Sequence, residues 1–152
     1  MKKILFVCLG NICRSPALQT VLEACVKKAG REKEFLIDSC GLTANFLGCQ
    51  ADERMRTAAK KRGYLIDHHA KLFDLRYFEI FDLILAVDQE VLSRLQNMAP
   101  SLRARAKVRL ASDFSKRYKG EEIEDPYLDG KEMFEKVMDM AEEICKQVMG
   151  AE

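Results

Sequence analysis

Residues 4–7, Ile-Leu-Phe-Val, form an unbroken apolar run, and the nine residues after it read Cys-Leu-Gly-Asn-Ile-Cys-Arg-Ser-Pro. A buried strand that ends on a thiol, turns through a Gly-Asn pair and opens a helix at Ser-Pro leaves the chain few ways to fold. Gly10 and Asn11 both tolerate positive φ, so the loop is expected to curl. Five backbone N–H groups lie between Cys8 and Arg14, on Leu9, Gly10, Asn11, Ile12 and Cys13. Curled, they converge on one point and make a nest for a tetrahedral anion such as phosphate or sulfate. Ser15 suits the N-cap and Pro16 the first helical position, which adds the positive end of a helix dipole to the same field.

That field makes Cys8 the expected nucleophile, because the thiolate is the reactive form and nearby cations and helix N-termini favour it. The Ser15 hydroxyl is an additional donor to the sulfur. Arg14 can grip two phosphate oxygens with its planar fork, which a lysine cannot do, and it can follow the charge as a phosphoryl group moves in line to sulfur. A Cys-x5-Arg spacing is short and by itself often means a buried structural cysteine. Here the strand before it and the helix start after it agree with the nucleophilic reading.

The rest of the chain alternates strands and helices. Leu18, Val21, Leu22, Cys25, Val26 and Ala29 recur at helical spacing up to Gly30, and Phe35–Ser39 reads as a second strand. Residues 52–62 predict a helix with Met55, Ala58 and Ala59 on one face. Leu83–Val87 is a third strand, and a helix from Asp88 turns Val91, Leu92, Leu95 and Met98 inward until Pro100. Val108–Leu110 is a fourth strand. Residues 131–149 form a final helix with Phe134, Val137, Met138, Ala141, Ile144, Cys145 and Val148 in register. This order predicts one α/β domain over residues 1–152, a four-stranded parallel sheet with helices on both faces in a flavodoxin-like three-layer sandwich. Ligands in such folds bind at the carboxyl ends of strands, where Cys8 falls.

With 152 residues the chain is long enough for one sizeable core. Twenty-five Lys and Arg against 24 Asp and Glu give no electrostatic case for a nucleic-acid or membrane partner. Met1-Lys2-Lys3 before the apolar run faintly mimics a signal peptide, but no A-x-A-like cleavage site follows and polar residues arrive too early. No apolar run reaches membrane-spanning length. The six cysteines sit on helix faces, at a strand end and in loops, so a reduced, cytoplasmic chain is expected rather than a disulfide scaffold. Cys-x4-Cys with remote histidines is poor zinc spacing, and neither a metal nor another cofactor is expected.

A thiolate and an arginine do not complete a phosphomonoesterase, since the leaving oxygen needs a proton. The loop Glu121-Glu122-Ile123-Glu124-Asp125-Pro126-Tyr127 lies on the carboxyl side of the predicted sheet and offers one. Residue chemistry does not choose among Glu121, Glu122, Glu124 and Asp125.

From the Cys8–Pro16 loop through the Asp38-Ser39 strand end and the Asp125-Pro126-Tyr127 loop to the closing helix, the chain resembles the low-molecular-weight protein-tyrosine phosphatases. The resemblance implies hydrolysis of protein phosphotyrosine through a phosphocysteine, with Cys8 as nucleophile, Arg14 as phosphate clamp and Asp125 as general acid. It also implies a supporting network in which His68 and Asp88 hold Asn11 and Ser15. Read from the residues, Asp88 is a helix N-cap and His68 a loop histidine beside His69.

The chain departs from that family at the entrance, with Asn45-Phe46-Leu47 where members typically carry a tryptophan and Leu128 where they carry a second tyrosine. Phe46 and Tyr127 are candidates for an aromatic slot floored by Leu9 and Ile12; the other reading packs Phe46 onto the core and opens the entrance. Arsenate reduction on this fold needs two further cysteines near residues 80–90, and residues 75–95 have none. Phosphoarginine hydrolysis occurs in relatives with threonine at the place of Ile12, and the apolar Ile12 favours a phenyl ring. A non-enzymatic phosphocarrier needs neither Arg14 nor a general acid. Cys13, five residues after Cys8, is a candidate redox partner for it. The oligomeric state is left open.

Overall fold

The structure, a computed structural model, describes residues 1–151. Its strands are β1 (Lys2–Cys8), β2 (Phe35–Gly41), β3 (Leu83–Ala86) and β4 (Val108–Leu110). All neighbours are parallel, in the order β2-β1-β3-β4. Ile4 to Val7 are fully buried because β1 is central and covered on both sides, which is why its sequence is a continuous apolar run rather than an alternating one.

The helices are α1 (Arg14–Lys28), α2 (Glu53–Lys61), α3 (Tyr77–Ile80), α4 (Gln89–Met98), α5 (Leu102–Ala106) and α6 (Lys131–Gly150). From β1 the chain crosses through α1 to β2 on one side, whereas β3 crosses through α4 to β4 on the other. Right-handed crossovers in opposite directions put α1 and α4 on opposite faces of the sheet. The strand order therefore reverses between β1 and β3, and a crevice opens at their carboxyl ends. Cys8 stands at that reversal. Helix α6 packs against α1 and α2 and closes one face.

Caps account for several boundaries. The Asp52, Asp88 and Ser101 side chains accept from the N–H groups of Arg54, Val91 and Ala104, starting α2, α4 and α5. Strand β2 runs two residues past the expected Ser39, to Gly41, because its end pairs with Cys8. A Cβ at Gly41 would lie 2.7 Å from the Leu9 carbonyl oxygen, so only glycine lets the two chains approach there.

Four sequence expectations need correction. Helix α1 begins at Arg14, with Cys13 at the N-cap position and no side-chain cap, so Ser15 is not the cap and Pro16 is the third helical residue. Strand β3 ends at Ala86 rather than Val87. Met98 is 40% exposed, not turned inward, because α4 ends there. The short helices α3 and α5 were not expected.

Candidate active site

The loop between β1 and α1 closes on the Cys8 sulfur. Asn11 sits at φ 58°, in the left-handed region, and this turns its backbone N–H to donate to Cys8 Sγ at 3.1 Å. Gly10 keeps a negative φ; a Cβ on it would come within 2.9 Å of the Phe46 ring, so its smallness serves packing rather than backbone freedom. The N–H groups of Gly10, Ile12 and Cys13 have no acceptor among the described residues.

The strained residue is held by its own side chain. Asn11 is fully buried and uses all four of its hydrogen-bonding positions. Its amide nitrogen donates to Ser15 Oγ at 2.8 Å and Ser39 Oγ at 3.1 Å, and its Oδ1 accepts from the Lys71 N–H at 2.9 Å and from His68 Nε2 at 2.7 Å. That pattern places a proton on His68 Nε2. Burial pushes the imidazole below its ordinary pKa, so the neutral form is favoured. Ser15 Oγ accepts from Asn11 and lies 2.8 Å from Cys8 Sγ and 3.4 Å from the Cys40 carbonyl oxygen, so its single proton can turn from the carbonyl to the nearer sulfur when that atom is anionic.

Arg14 is 4% exposed, and a buried guanidinium needs partners. Its Nη1 donates to Asp88 Oδ2 at 2.7 Å and to the Ile123 carbonyl oxygen at 2.9 Å. Burial disfavours its charge, but the Cys8 sulfur and the Asp88 hydrogen bond outweigh that, and Arg14 holds its proton more tightly than usual. Nη1 is thereby engaged, and Nε and Nη2 remain for an anion. Nη2 lies 4.0 Å from Asp125 Oδ2.

Leu9, Ile12, Phe46, Asp125 and Tyr127 line a cavity of about 80 Å³ above the sulfur. Among the described residues Asp125 is the one carboxylate there; Glu121, Glu122 and Glu124 line a separate depression near Lys136. Asp125 is half exposed, and its Oδ1 accepts from the Tyr127 N–H, which stiffens the loop. The rings of Phe46 and Tyr127 stand 5.4 Å apart at 55°, while Leu128 points outward at 92% exposure. Phe46 both packs against the core and forms a wall of the cavity.

Among the residues singled out in the sequence, His68 meets Asn11 as the resemblance implies. Among the described residues Asp88 makes no hydrogen bond to Asn11 or Ser15. It caps α4 with Oδ1 and holds Arg14 with Oδ2. Sequence reasoning missed Ser39, the Lys71 N–H and the Ile123 carbonyl, and it missed Thr43 and Asn45 in the cavity lining. Two of these are backbone groups, which carry no side-chain signature. All six thiols are free, and Cys13 and Cys40 are buried near Cys8. Among the described residues no cluster of three His, Cys, Asp or Glu is arranged to hold a metal, and no helix is long and apolar enough to cross a membrane.

The model of the family described as low molecular weight phosphotyrosine protein phosphatase matches residues 3–152. A low molecular weight protein-tyrosine-phosphatase of Streptomyces coelicolor is 35% identical over 151 residues, covering 98% of this chain and 92% of its own. The crystal structure of a protein tyrosine phosphatase from Entamoeba histolytica, with Hepes in its active site, has a TM-score of 0.94 at 35% identity and covers 98% of this chain and 95% of its own. A drosophila arginine phosphatase has a TM-score of 0.90 at 29% identity, covering 99% and 96%. With a family match that runs through both the Cys8 loop and the Asp125 loop, this chain belongs to the low molecular weight phosphotyrosine protein phosphatases.

Proposed function

We propose that this chain hydrolyses the phosphate ester of protein phosphotyrosine, with Cys8 as nucleophile, Arg14 as phosphate clamp and Asp125 as general acid. The observation that carries the reading is the convergence of the Asn11 N–H and the Ser15 hydroxyl on Cys8 Sγ beside a buried, fastened Arg14. The two donors stabilise the thiolate, and the free N–H groups of the loop with Nε and Nη2 of Arg14 receive the phosphate oxygens.

In the first step Sγ attacks phosphorus in line, the bond to the aryl oxygen breaks, and Asp125 gives that oxygen its proton. In the second, Asp125 takes a proton from water as the water attacks phosphorus; inorganic phosphate leaves and the thiolate returns. Phe46 and Tyr127 flank the phenyl ring, with Leu9 and Ile12 beneath it. No metal or other cofactor takes part in this scheme. All six thiols being free favours a reducing, cytoplasmic setting.

Phosphoarginine is the second reading, because a drosophila arginine phosphatase shares the fold at 29% identity. The apolar Ile12 offers a guanidinium no hydrogen-bond acceptor and favours a phenyl group. Turnover of para-nitrophenyl phosphate, followed by phosphotyrosine, phosphoserine and phosphoarginine peptides side by side, tests the proposal. Phosphotyrosine is expected to lead, and a clear lead for phosphoarginine would replace the substrate assignment. Cys8→Ser is expected to abolish turnover while still binding phosphate, since the amides and Arg14 remain.

A further inference from the structure

Asp125 rides on a loop with few ties to the fold. Ile123 anchors its start, donating its N–H to the Val87 carbonyl oxygen at 2.9 Å and accepting from Arg14 Nη1 at 2.9 Å. Beyond it, the hydrogen bonds that residues 124–129 make among the described residues stay within the loop. The Asp129 N–H donates to the Pro126 carbonyl oxygen at 3.0 Å, and the Tyr127 N–H to Asp125 Oδ1 at 3.1 Å. Asp125 Oδ2 reaches Arg14 Nη2 only at 4.0 Å. Packing therefore does most of the holding, through the buried Pro126 and the ring of Tyr127. That ring meets Phe46 and also the guanidinium of Arg54, whose carbon lies 5.4 Å from the ring centre.

Arg54 is placed independently of this loop. Its Nε and Nη2 donate to the two carboxylate oxygens of Asp52 at 3.0 and 2.8 Å, a bidentate pair in which Asp52 is only 10% exposed. The guanidinium carbon also lies 4.8 Å from the ring centre of Phe134, which is buried in α6. Asp52 caps α2, and its backbone N–H donates to the Ile12 carbonyl oxygen at 2.8 Å. The guanidinium is thereby fixed relative to the loop that carries Cys8. Arg54 does not line the reaction cavity; it bears on it through Tyr127, which does. A cation over an aromatic face is attracted by the ring's quadrupole, so the contact draws Tyr127 and its loop toward α2.

We propose that Arg54 is a positioning residue for the general acid: through the Tyr127 ring it holds residues 124–129 over Cys8 and so sets the place of Asp125. The inference rests on the acid role of Asp125 in the phosphatase reading. Without the contact the loop is closed for less of the time, and the loss is largest where the leaving oxygen needs a proton.

The test compares aryl phosphates with good and poor leaving groups. In Arg54→Met, kcat/KM for the poorest is expected to fall roughly two- to fivefold, the scale of one exposed cation–π contact, and for the best clearly less. The inhibition constant of inorganic phosphate, which reads the Cys8 loop and Arg14, should match that of the wild type. Arg54→Gln is neutral but can still hydrogen-bond Asp52, so it should behave as Arg54→Met does; rescue by Gln would reduce Arg54 to a partner of Asp52. Beside Tyr127→Leu, Arg54→Met should add nothing, whereas beside Tyr127→Phe its effect should persist. Chymotrypsin cleavage after Tyr127 requires the ring to leave its contacts, and it should quicken by the same factor in Arg54→Met. An equal fall for every leaving group, no fall, or a fall that persists in full beside Tyr127→Leu overturns the positioning role. If the wild type turns over no aryl phosphate, the phosphatase reading fails instead, and an unchanged cleavage rate would then overturn the hold of Arg54 on the loop.

Discussion

Asp88 grips Arg14 with one carboxylate oxygen and caps α4 with the other, so a single side chain ties the phosphate clamp to the start of a helix on the other side of the sheet. Asp88 thus acts on phosphate only through Arg14. Its Oδ2 leaves Nε and Nη2 as the edge of the guanidinium that faces the anion, and a carboxylate at 2.7 Å makes that orientation rigid.

Replacing Asp88 by Asn keeps a capping oxygen but removes the charge that fixes the guanidinium. The expected result is a fall in kcat of about one to two orders of magnitude, the scale of a misplaced reacting group. Arg14→Lys should lose at least as much, because a point charge cannot reproduce the fork. The double variant should lose little more than Arg14→Lys alone, as residues acting through one another are not additive. If the two losses multiply, Asp88 acts on the reaction by some route other than Arg14.

Asp125→Asn separates the proton donor from the rest of the site. Aryl phosphates with poor leaving groups should slow by about 10²–10⁴, and those with good ones far less, because only the former need the proton. The placement of Glu121, Glu122 and Glu124 around a different depression predicts that their amide variants leave this dependence unchanged. An equal loss for every leaving group in Asp125→Asn would remove it from the acid's role.

The phosphate loop was the most legible part of the molecule, since its strand, its Gly-Asn turn and its helix start are contiguous in the chain. So was β1, whose unbroken apolar run marks a strand buried on both faces. What sequence could not show is what residues remote in the chain contribute. Asp88 read correctly as an N-cap from its position before a helix, but its second oxygen meets Arg14 only because β3 ends beside β1. Ser15 looked like a cap because Ser-Pro is a common helix opening; in the fold the loop turns its hydroxyl toward Cys8 and Asn11 instead. Lys71 and Ile123 work through backbone atoms, which any residue would supply. Helices α3 and α5 span four and five residues, too short for a periodic apolar face to emerge.

His68 gives the fold a pH dependence whose sign follows from its burial. The folded imidazole is harder to protonate than the unfolded one, whose value is about 6.5, so the unfolded chain binds the extra proton first. This contribution to stability is fully present above about pH 6.5 and is lost as pH falls through the lower folded value. His68→Gln retains a donor for Asn11 Oδ1 and does not titrate. Between about pH 7 and pH 5 its Tm should therefore fall less than that of the wild type. Parallel Tm curves for the two proteins would show that His68 does not carry the dependence.

Cys13 shares the loop and the cavity with Cys8 and is 3% exposed. Burial first, then the Asp52 carboxylate and the Cys8 sulfur, raise its pKa well above that of an ordinary thiol, so it remains protonated while Cys8 reacts. Peroxide converts the Cys8 thiolate to the sulfenic acid; attack by the Cys13 sulfur then forms the disulfide and releases water, ahead of irreversible oxidation. A thiol with a raised pKa attacks slowly near neutrality and faster as pH rises, so trapping should strengthen toward alkaline pH. Wild-type activity lost to peroxide should return with dithiothreitol, whereas Cys13→Ser should recover only a small part after the same dose. Equal recovery in the two proteins would mean that Cys13 packs beneath the loop as a small apolar residue and protects nothing.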